Sequence, residues 1–490
     1  MSSTPATAPV KKQPHGLAFW MSRVLEECDR VGAGFAAEPV HDLRVALRRC
    51  RSMADGLMAI DPDPAWKNMK KAGKQLFASL GELRDVQVME EWIGKLGNVD
   101  DPAARTLRQV LFDREVRHKQ QAAQALQQFN RKQWRKWGGA LSRRAAKVRS
   151  GSLIFKHLAL ERWTAAYELH RHALRNRSQP ALHSLRIGIK RFRYIVENFL
   201  PEHHEKWIDD LKELQDLLGE VHDLDILWAT ALQVNAFPDP DSRLRWRTRI
   251  VEERRRRIEA YRGKTVGEAS RWPVWRAELP QGKQIEAVAL ARLKRWASFL
   301  DPDLKHSAHI ARLALQLYDG LPAPPGMADS ESGSRRTILQ VAALLHDVGL
   351  SKQGRGHQKA SYRLIRKLTP PLGWSAENLL MAAVVARYHR GDLPRTGQQT
   401  LVGLTPEQRS SAIWLAGILR LANAFDADHS GRIEQLEFQE KNGCLVIYAL
   451  GYHSRDRMAE GIAASRHLLE TIYRRPLMVK PLRHKPAPGG

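Results

Sequence analysis

Apolar residues recur at three- and four-residue spacing almost without interruption from Leu17 to Tyr261, in segments rich in Leu, Ala, Arg, Glu and Gln; the pattern predicts α-helices. It breaks where turn chemistry clusters, at Asp61-Pro62-Asp63-Pro64, Asn98-Val99-Asp100-Asp101-Pro102 and Phe237-Pro238-Asp239-Pro240-Asp241. Residues 271–283 (RWPVWRAELPQGK) have the composition of a domain linker, with the linker proper expected at 276–283. From Gln284 helical periodicity resumes, interrupted by a Pro/Gly/Ser loop at 321–335. A β-hairpin is expected late in the chain, from Ile433 to Phe438, through a Lys441-Asn442-Gly443 turn, to Leu445–Leu450. The predicted fold is all-α with a small β-hairpin near the C-terminal end.

The first half repeats itself. Val40–Met53 (VHDLRVALRRCRSM) aligns with Leu182–Ile195 (LHSLRIGIKRFRYI) at an offset of 142, and Leu80–Val88 (LGELRDVQV) aligns with Leu218–Ile226 (LGEVHDLDI) at an offset of 138. Two matches at nearly one spacing predict a duplicated helical unit, with repeats at about 14–150 and 151–275. A repeat this long predicts two facing bundles and excludes a stacked solenoid.

A chain of 490 residues implies more than one core, divided here into domains at 14–275 and 284–480. Three widely spaced cysteines (Cys28, Cys50, Cys444) fit neither a disulfide framework nor a CxxC metal site. No apolar run reaches 18 residues and the opening MSSTPATAPVKKQPHG lacks an apolar signal core, so the expected location is the cytoplasm, not a membrane. Lys and Arg (79) exceed Asp and Glu (53) for a net charge of +26, which calls for a polyanionic partner.

That surplus forms stripes. His41, Arg44, Arg48 and Arg51 share one helix face opposite Leu43, Leu47 and Cys50; His183, Arg186, Lys190 and Arg193 repeat this opposite Leu185, Ile189 and Phe192. Like charges at such spacing repel by a few tenths of a kcal/mol per pair, and doing so twice calls for an anion. The bland alternative is a solvated face, or ion pairs to Asp85, Asp223 and Asp225. Arg84 and His222 occupy matching positions within the second repeated element and add a candidate cationic group to each copy. Arg254-Arg255-Arg256-Arg257 wind round a helix, so at most one or two can face the same groove.

These two motifs, occurring twice over residues 14–275, resemble the CHAD domain. The resemblance implies a two-bundle all-α fold with a basic cleft that binds inorganic polyphosphate, carried onto His41, Arg44, Arg48, Arg51, His183, Arg186, Lys190 and Arg193. The stripe residues include no aromatic group, which disfavours nucleic acid.

The second half carries metal-ligand types. His346-Asp347 ends the apolar helix Ile338–Leu345, with Gly349 beyond as a terminator; His306 opens the helix before it and Asp426 closes the helix Ile413–Phe425. Two imidazoles and two carboxylates suit a divalent Mn, Mg, Fe or Co ion with open positions, and zinc less well. This order resembles the HD phosphohydrolase superfamily. Further segments, including Gly356-His357, VARYHR (Val385–Arg390) and ILRLANAFD (Ile418–Asp426), resemble the C-terminal HD-type domain of the exopolyphosphatase/guanosine pentaphosphate phosphatase family. That family's actin-like phosphatase domain has no counterpart in these residues. The resemblance implies metal ligation by His306, His346, Asp347 and Asp426 and hydrolysis of phosphoanhydrides. Asp347, Lys352 and Arg390 are the candidate catalytic residues, with Arg355 and Arg387 as further cations; His357 and His389 are candidates for a second metal or for phosphate.

The expected function is a polyphosphate-binding protein whose metal-dependent domain hydrolyses polyphosphate or a related phosphoanhydride, located in the cytoplasm at polyphosphate granules. The alternatives are a non-catalytic polyphosphate-binding adaptor, a phosphohydrolase of nucleotides or guanosine tetra- and pentaphosphate, and charge-driven RNA or DNA binding.

Overall fold

A computed structural model describes residues 16–98, 100–327, 331–395, 397–455 and 457–482. The expected domain start at residue 14 lies outside them. The chain divides into two compact units, residues 1–284 and 285–490.

The N-terminal unit is built from α1 (Leu17–Gly32), α2 (Ala37–Leu57), α3 (Pro64–Ala72), α4 (Lys74–Leu96), α5 (Pro102–Gln128), α6 (Arg131–Ala145), α7 (Leu153–Arg175), α8 (Gln179–Phe199), α9 (Pro201–Gln233), α10 (Pro240–Thr265) and α11 (Arg271–Ala277). Each predicted break is an Asp-Pro helix start. Asp63, Asp101 and Asp239 accept from the backbone N–H of Ala65, Ala103 and Ser242 at 2.8, 2.9 and 2.6 Å, and the following proline occupies the first helical position, where its missing N–H is not needed. Asp61 locks its turn to α6: it accepts from Trp66 Nε1 at 2.9 Å and from both Nε and Nη2 of Arg144, at 2.6 and 2.5 Å.

The two copies follow one plan, α2 with α4 in the first and α8 with α9 in the second, and they meet through α2 against α8 and α4 against α9. Leu43, Leu47, Cys50, Leu185, Ile189 and Phe192 are all fully buried, as their face predicts. A buried polar network crosses the seam: Arg49 donates to Asn198 Oδ1 at 3.1 Å and pairs with the Glu197 carboxylate, and Asn198 Nδ2 donates to Ser52 Oγ at 2.8 Å. The tryptophan-rich segment after 270 differs from the linker reading. Residues 271–277 form α11, with Trp272 and Trp275 buried beside Trp163, Tyr167 and Trp207, because aromatic burial outweighs a proline at an early helical position. Only residues 278–282 separate it from the next helix.

The C-terminal unit comprises α12 (Lys283–Ala297), α13 (Leu304–Gly320), α14 (Ser332–Leu345), α15 (His357–Ile365), α16 (Ala376–Arg387), α17 (Pro406–Ala424), β1 (Leu436–Lys441), β2 (Cys444–Ala449), α18 (Arg457–Tyr473) and β3 (Leu477–Pro481). The helix after the Pro/Gly/Ser loop starts at Ser332, inside the segment read as loop. β1 and β2 form the expected hairpin, turning at Asn442 and Gly443 with φ of 50° and 75°. A third strand missed by sequence, β3, pairs parallel to β2 with Leu477 opposite Leu445. α13, α14, α16 and α17 bury the core, and the second half of α14, Ile338–Leu345, is apolar but for Gln340, as a segment that runs into the interior must be. No helix of the described residues is long and apolar enough to cross a membrane.

Candidate anion pocket and metal centre

Packing α2 on α8 brings the two cationic stripes together. A pocket of about 170 Å³ is lined by His41, Arg44, Val45, Arg48, Phe77 and Arg84 of the first copy and Lys190 of the second. Arg44 Nη1, Arg48 Nε and Arg186 Nε are buried without a hydrogen-bond partner. Asp85 acts on Arg44 and Arg186, and Asp223 on Arg186, through space alone, whereas Asp225 is paired with Arg254 at 3.1 Å. The Leu-Gly element explains how the Arg44 guanidinium sits so deep. A Cβ on Gly81 would lie 2.8 Å from Arg44 Nη1, so this glycine opens the helix surface to the first copy's arginine; one on Gly219 would lie 3.8 Å from Arg186 Nε, an ordinary contact.

Electrostatics registers the crowding. Burial, then Arg186, Arg48 and Arg44, bring the Lys190 ammonium down to about 8. Burial, then Arg186, His183 and Lys190, bring His222 down to about 4, so this residue is a neutral ring, its Nδ1 buried without a hydrogen-bond partner, and not the added cation expected from its position. Its ring lies 4.7 Å from that of His183. Burial lifts the Asp223 carboxyl to about 6 against the pull of Arg186.

Not every stripe residue reaches the pocket. Arg51 donates to Lys70 O at 2.8 Å, and Arg193 lies 3.8 Å from buried Glu197, so the last arginine of each stripe is held by the protein itself. The tetra-arginine run is also consumed: Arg254, Arg255, Arg256 and Arg257 all pair with Asp or Glu. Two aromatic rings missed by sequence stand beside the cations. Phe77 faces Arg44 at 5.5 Å and Arg51 at 5.2 Å, and Tyr194 faces Arg48 at 5.6 Å and Lys190 at 5.8 Å. Tyr194 was visible at i+4 from Lys190, on the stripe itself. These rings carry cations on their faces, which opposes their use as platforms for bases.

In the C-terminal unit, helix ends converge. Asp303 caps α13 by accepting from His306 N at 3.1 Å, His346 and Asp347 follow the last turn of α14, His357 opens α15 and His389 lies just past α16. His346, His357 and His389 share one device: each Nδ1 donates to the carbonyl three residues earlier, of Ala343, Gly354 and Ala386, at 2.7, 3.0 and 2.8 Å. These bonds fix which nitrogen faces the carbonyl and turn three Nε2 atoms inward, with Asp347 raising the pKa of His357. His357 Nε2 and His389 Nε2 are 3.2 Å apart, and they lie 2.9 and 3.7 Å from Asp347 Oδ1; His346 Nε2 is 3.5 Å from Asp347 Oδ2.

Imidazole nitrogens gathered around a carboxylate need a cation. Burial keeps His346 and His389 neutral, and Asp347 stays well below the ordinary carboxylate range because His346, His357 and His389 outweigh the burial that works to raise it. His346 Nε2 and Asp347 Oδ1 are buried without hydrogen-bond partners. Among the described residues, two groups have ligand atoms within 4.8 Å of one another, His306-His346-Asp347 and Asp347-His357-His389, and both can hold a divalent metal.

Asp426 differs from its expected place among the ligands. Its Oδ2 accepts from His306 Nδ1 at 2.8 Å and its Oδ1 from Gly431 N at 2.7 Å, so it stands behind His306 and aims the imidazole's Nε2. Gly349 is likewise no left-handed terminator. A Cβ there would lie 2.1 Å from His357 O and 2.5 Å from Ser361 N, so its role is to let α15 press against the His346-Asp347 turn.

Residues 19–232 match the CHAD domain, and residues 291–447 match the Ppx/GppA phosphatase, domain III. The chain joins a CHAD domain to a Ppx/GppA domain III. Among solved structures, the crystal structure of the CHAD domain from the plant Ricinus communis is similar at 19% identity with a TM-score of 0.39, covering 56% of this chain and 96% of that one. No curated protein matches. The pair of domains supports a polyphosphate-related, phosphatase-like character.

Within the Ppx/GppA domain III, a cleft of about 270 Å³ opens on the metal groups. Arg390 lines it, with His306, Asp347, His357 and His389. Lys352 and Arg355 are exposed and do not line it; Arg387 is buried and lies 3.5 Å from Asp392. Sequence reading missed Arg420, Asn423 and His429, which do line it. The signal was available, since Arg420 and Asn423 on α17 and Asp426 just past its end follow one another at three-residue spacing. Arg420 is fixed by donating to Tyr388 O at 3.2 Å and Gly391 O at 2.5 Å.

Because Asp347 belongs to both groups, Asp347→Ala is expected to abolish metal retention, while His357→Ala lowers the metal content without abolishing it. Elemental analysis of purified variants checks this, and full metal content in Asp347→Ala contradicts the assignment.

Proposed function

We propose that the CHAD domain binds inorganic polyphosphate in the Arg44/Arg48/Lys190 pocket and that domain III is a metal-dependent phosphohydrolase acting on polyphosphate or a related phosphoanhydride. The observation that carries the catalytic half is the inward convergence of three carbonyl-anchored imidazoles on Asp347. Four imidazoles around one carboxylate favour Mn, Fe or Co over Mg, which prefers an all-oxygen shell. When bound, such an ion lowers the pKa of water and polarises a phosphoryl oxygen. The chain's own residues supply the rest: Asp426 orients His306, and Arg390 and Arg420 place positive charge on the cleft wall, where phosphate oxygens gather negative charge as the phosphoryl group transfers.

Support for the binding half is electrostatic. Polyphosphate is a flexible chain of closely spaced charges with no bases, and it is matched by buried guanidinium N–H groups without partners. The alternative of nucleic acid is opposed by the cation-covered faces of Phe77 and Tyr194. The reading places the protein in the cytoplasm, at polyphosphate granules.

Arg44→Glu combined with Arg186→Glu should weaken polyphosphate retention by on the order of 100-fold or more in a filter assay, with manganese-dependent phosphate release from tripolyphosphate retained. Unchanged retention contradicts the pocket, and no release with any of Mn, Mg, Fe or Co contradicts the hydrolase.

The lysine adds a pH test. Lys190 titrates at about 8 in the free pocket, and a bound polyanion raises that value, so binding takes up a proton. Affinity is then greatest below pH about 8 and falls as pH rises through it, by roughly tenfold per unit of upward shift, until the bound-state value is passed. Calorimetric titration near pH 8 in buffers of different ionisation enthalpy should report net proton uptake. Zero uptake there shows that the anion does not meet Lys190.

A further inference from the structure

The CHAD pocket mixes groups with different chemistry. Arginine binds phosphate and stays inert, whereas a lysine amine is a nucleophile whenever it sheds its proton. Among the described residues lining the pocket, Lys190 is the lysine, and it faces Arg44, Arg48 and Arg84 across the same small space. Arg44 and Arg48 line the pocket beside the amine, and Arg44 Nη1 and Arg48 Nε are buried without hydrogen-bond partners. Tyr194 limits where that amine can go, with Nζ 5.8 Å from its ring centroid.

We infer that Lys190 is an acylation site: an acyl phosphate docks its phosphate on Arg44 and Arg48 and transfers its acyl group to the Lys190 amine. The neutral amine attacks the acyl carbonyl carbon, an N–C bond forms, and the C–O bond to phosphate breaks. Inorganic phosphate leaves with the electron pair, and the surplus proton on nitrogen passes to water or to the departing phosphate. No oxidant or reductant takes part. In the free pocket the crowding that lowers the ammonium to about 8 raises the neutral fraction at neutral pH well above that of an ordinary exposed lysine, and the docked phosphate offsets part of that gain. The geometry adds proximity, since the leaving group is the portion held by the arginines.

The product is an amide with no charge. Acylation therefore removes one positive charge from the pocket and adds bulk to a space of about 170 Å³. The consequence that acylation releases polyphosphate rests on the function proposed above; the acylation itself does not.

The test is incubation of the full-length protein with acetyl phosphate, read by time-resolved peptide mass spectrometry at Lys190 and at the exposed Lys67 and Lys71. Lys190 should be acetylated roughly tenfold or more faster than either control. Inorganic phosphate should slow Lys190 and leave the controls unchanged. Acetylation by N-hydroxysuccinimide acetate, which carries no phosphate, should show a smaller preference for Lys190. Equal rates at Lys190 and the controls overturn the proposal. So does a Lys190 rate that phosphate leaves untouched, since the arginines then do no docking. Polyphosphate binding is measured separately on the unmodified full-length protein; its absence contradicts the binding proposal and leaves the labelling result to stand or fall by itself.

Discussion

Groups of one kind are forced together in each unit, and the apolar packing around them forbids their separation. In the CHAD domain the crowded groups are guanidinium and ammonium ions; in domain III they are imidazole nitrogens around a carboxylate. The balance of magnitudes explains why this is tolerated. Each like-charge neighbour on a helix costs a few tenths of a kcal/mol, whereas burying one Leu or Phe contributes about 2 kcal/mol. Leu43, Leu47, Leu185, Ile189 and Phe192 therefore fix the faces of α2 and α8, and the cations follow. The apolar run of α14 likewise carries His346 and Asp347 into the interior. What remains is a stored electrostatic demand, which the proposed polyanion would meet in one case and the proposed metal ion in the other.

The helical pattern, its Asp-Pro interruptions and the duplication were legible because they rest on local periodicity and capping chemistry. The meeting of the two stripes was foreshadowed by their matching apolar faces, since two helices that bury equivalent residues in a duplicated unit have reason to pack on one another. Less legible were features that depend on partners distant in sequence. The Lys70 carbonyl, 19 residues on, draws Arg51 away from the pocket, and nothing in the spacing of the stripe foretells it; Glu197, at i+4 from Arg193 on the same helix, was in view in the sequence. Gly349 reads locally as a helix terminator and is explained only by the backbone of residues 357–361 pressed against it. β3 was missed because its sole strand partner, β2, lies about one helix earlier.

At the metal centre the residue types were legible and their ranks were not. The sequence places His306, His346, Asp347 and Asp426 in one class. The structure divides them, with Asp426 orienting His306, and it brings His357 and His389 to full standing as ligand candidates through hydrogen bonds to carbonyls three residues earlier. Those bonds belong to the conformation of the helix ends and cannot be seen in a residue list. The same holds for Arg420, whose placement in the cleft depends on the carbonyls of Tyr388 and Gly391.

If unmet electrostatic demand is what each unit stores, then supplying the missing counter-charge must stabilise that unit and leave the other alone. Differential scanning calorimetry of the full-length protein, with and without polyphosphate and with and without manganese, tests this directly. The account predicts two separable transitions, one raised by polyphosphate and the other by manganese. A thermogram that neither ligand shifts contradicts it.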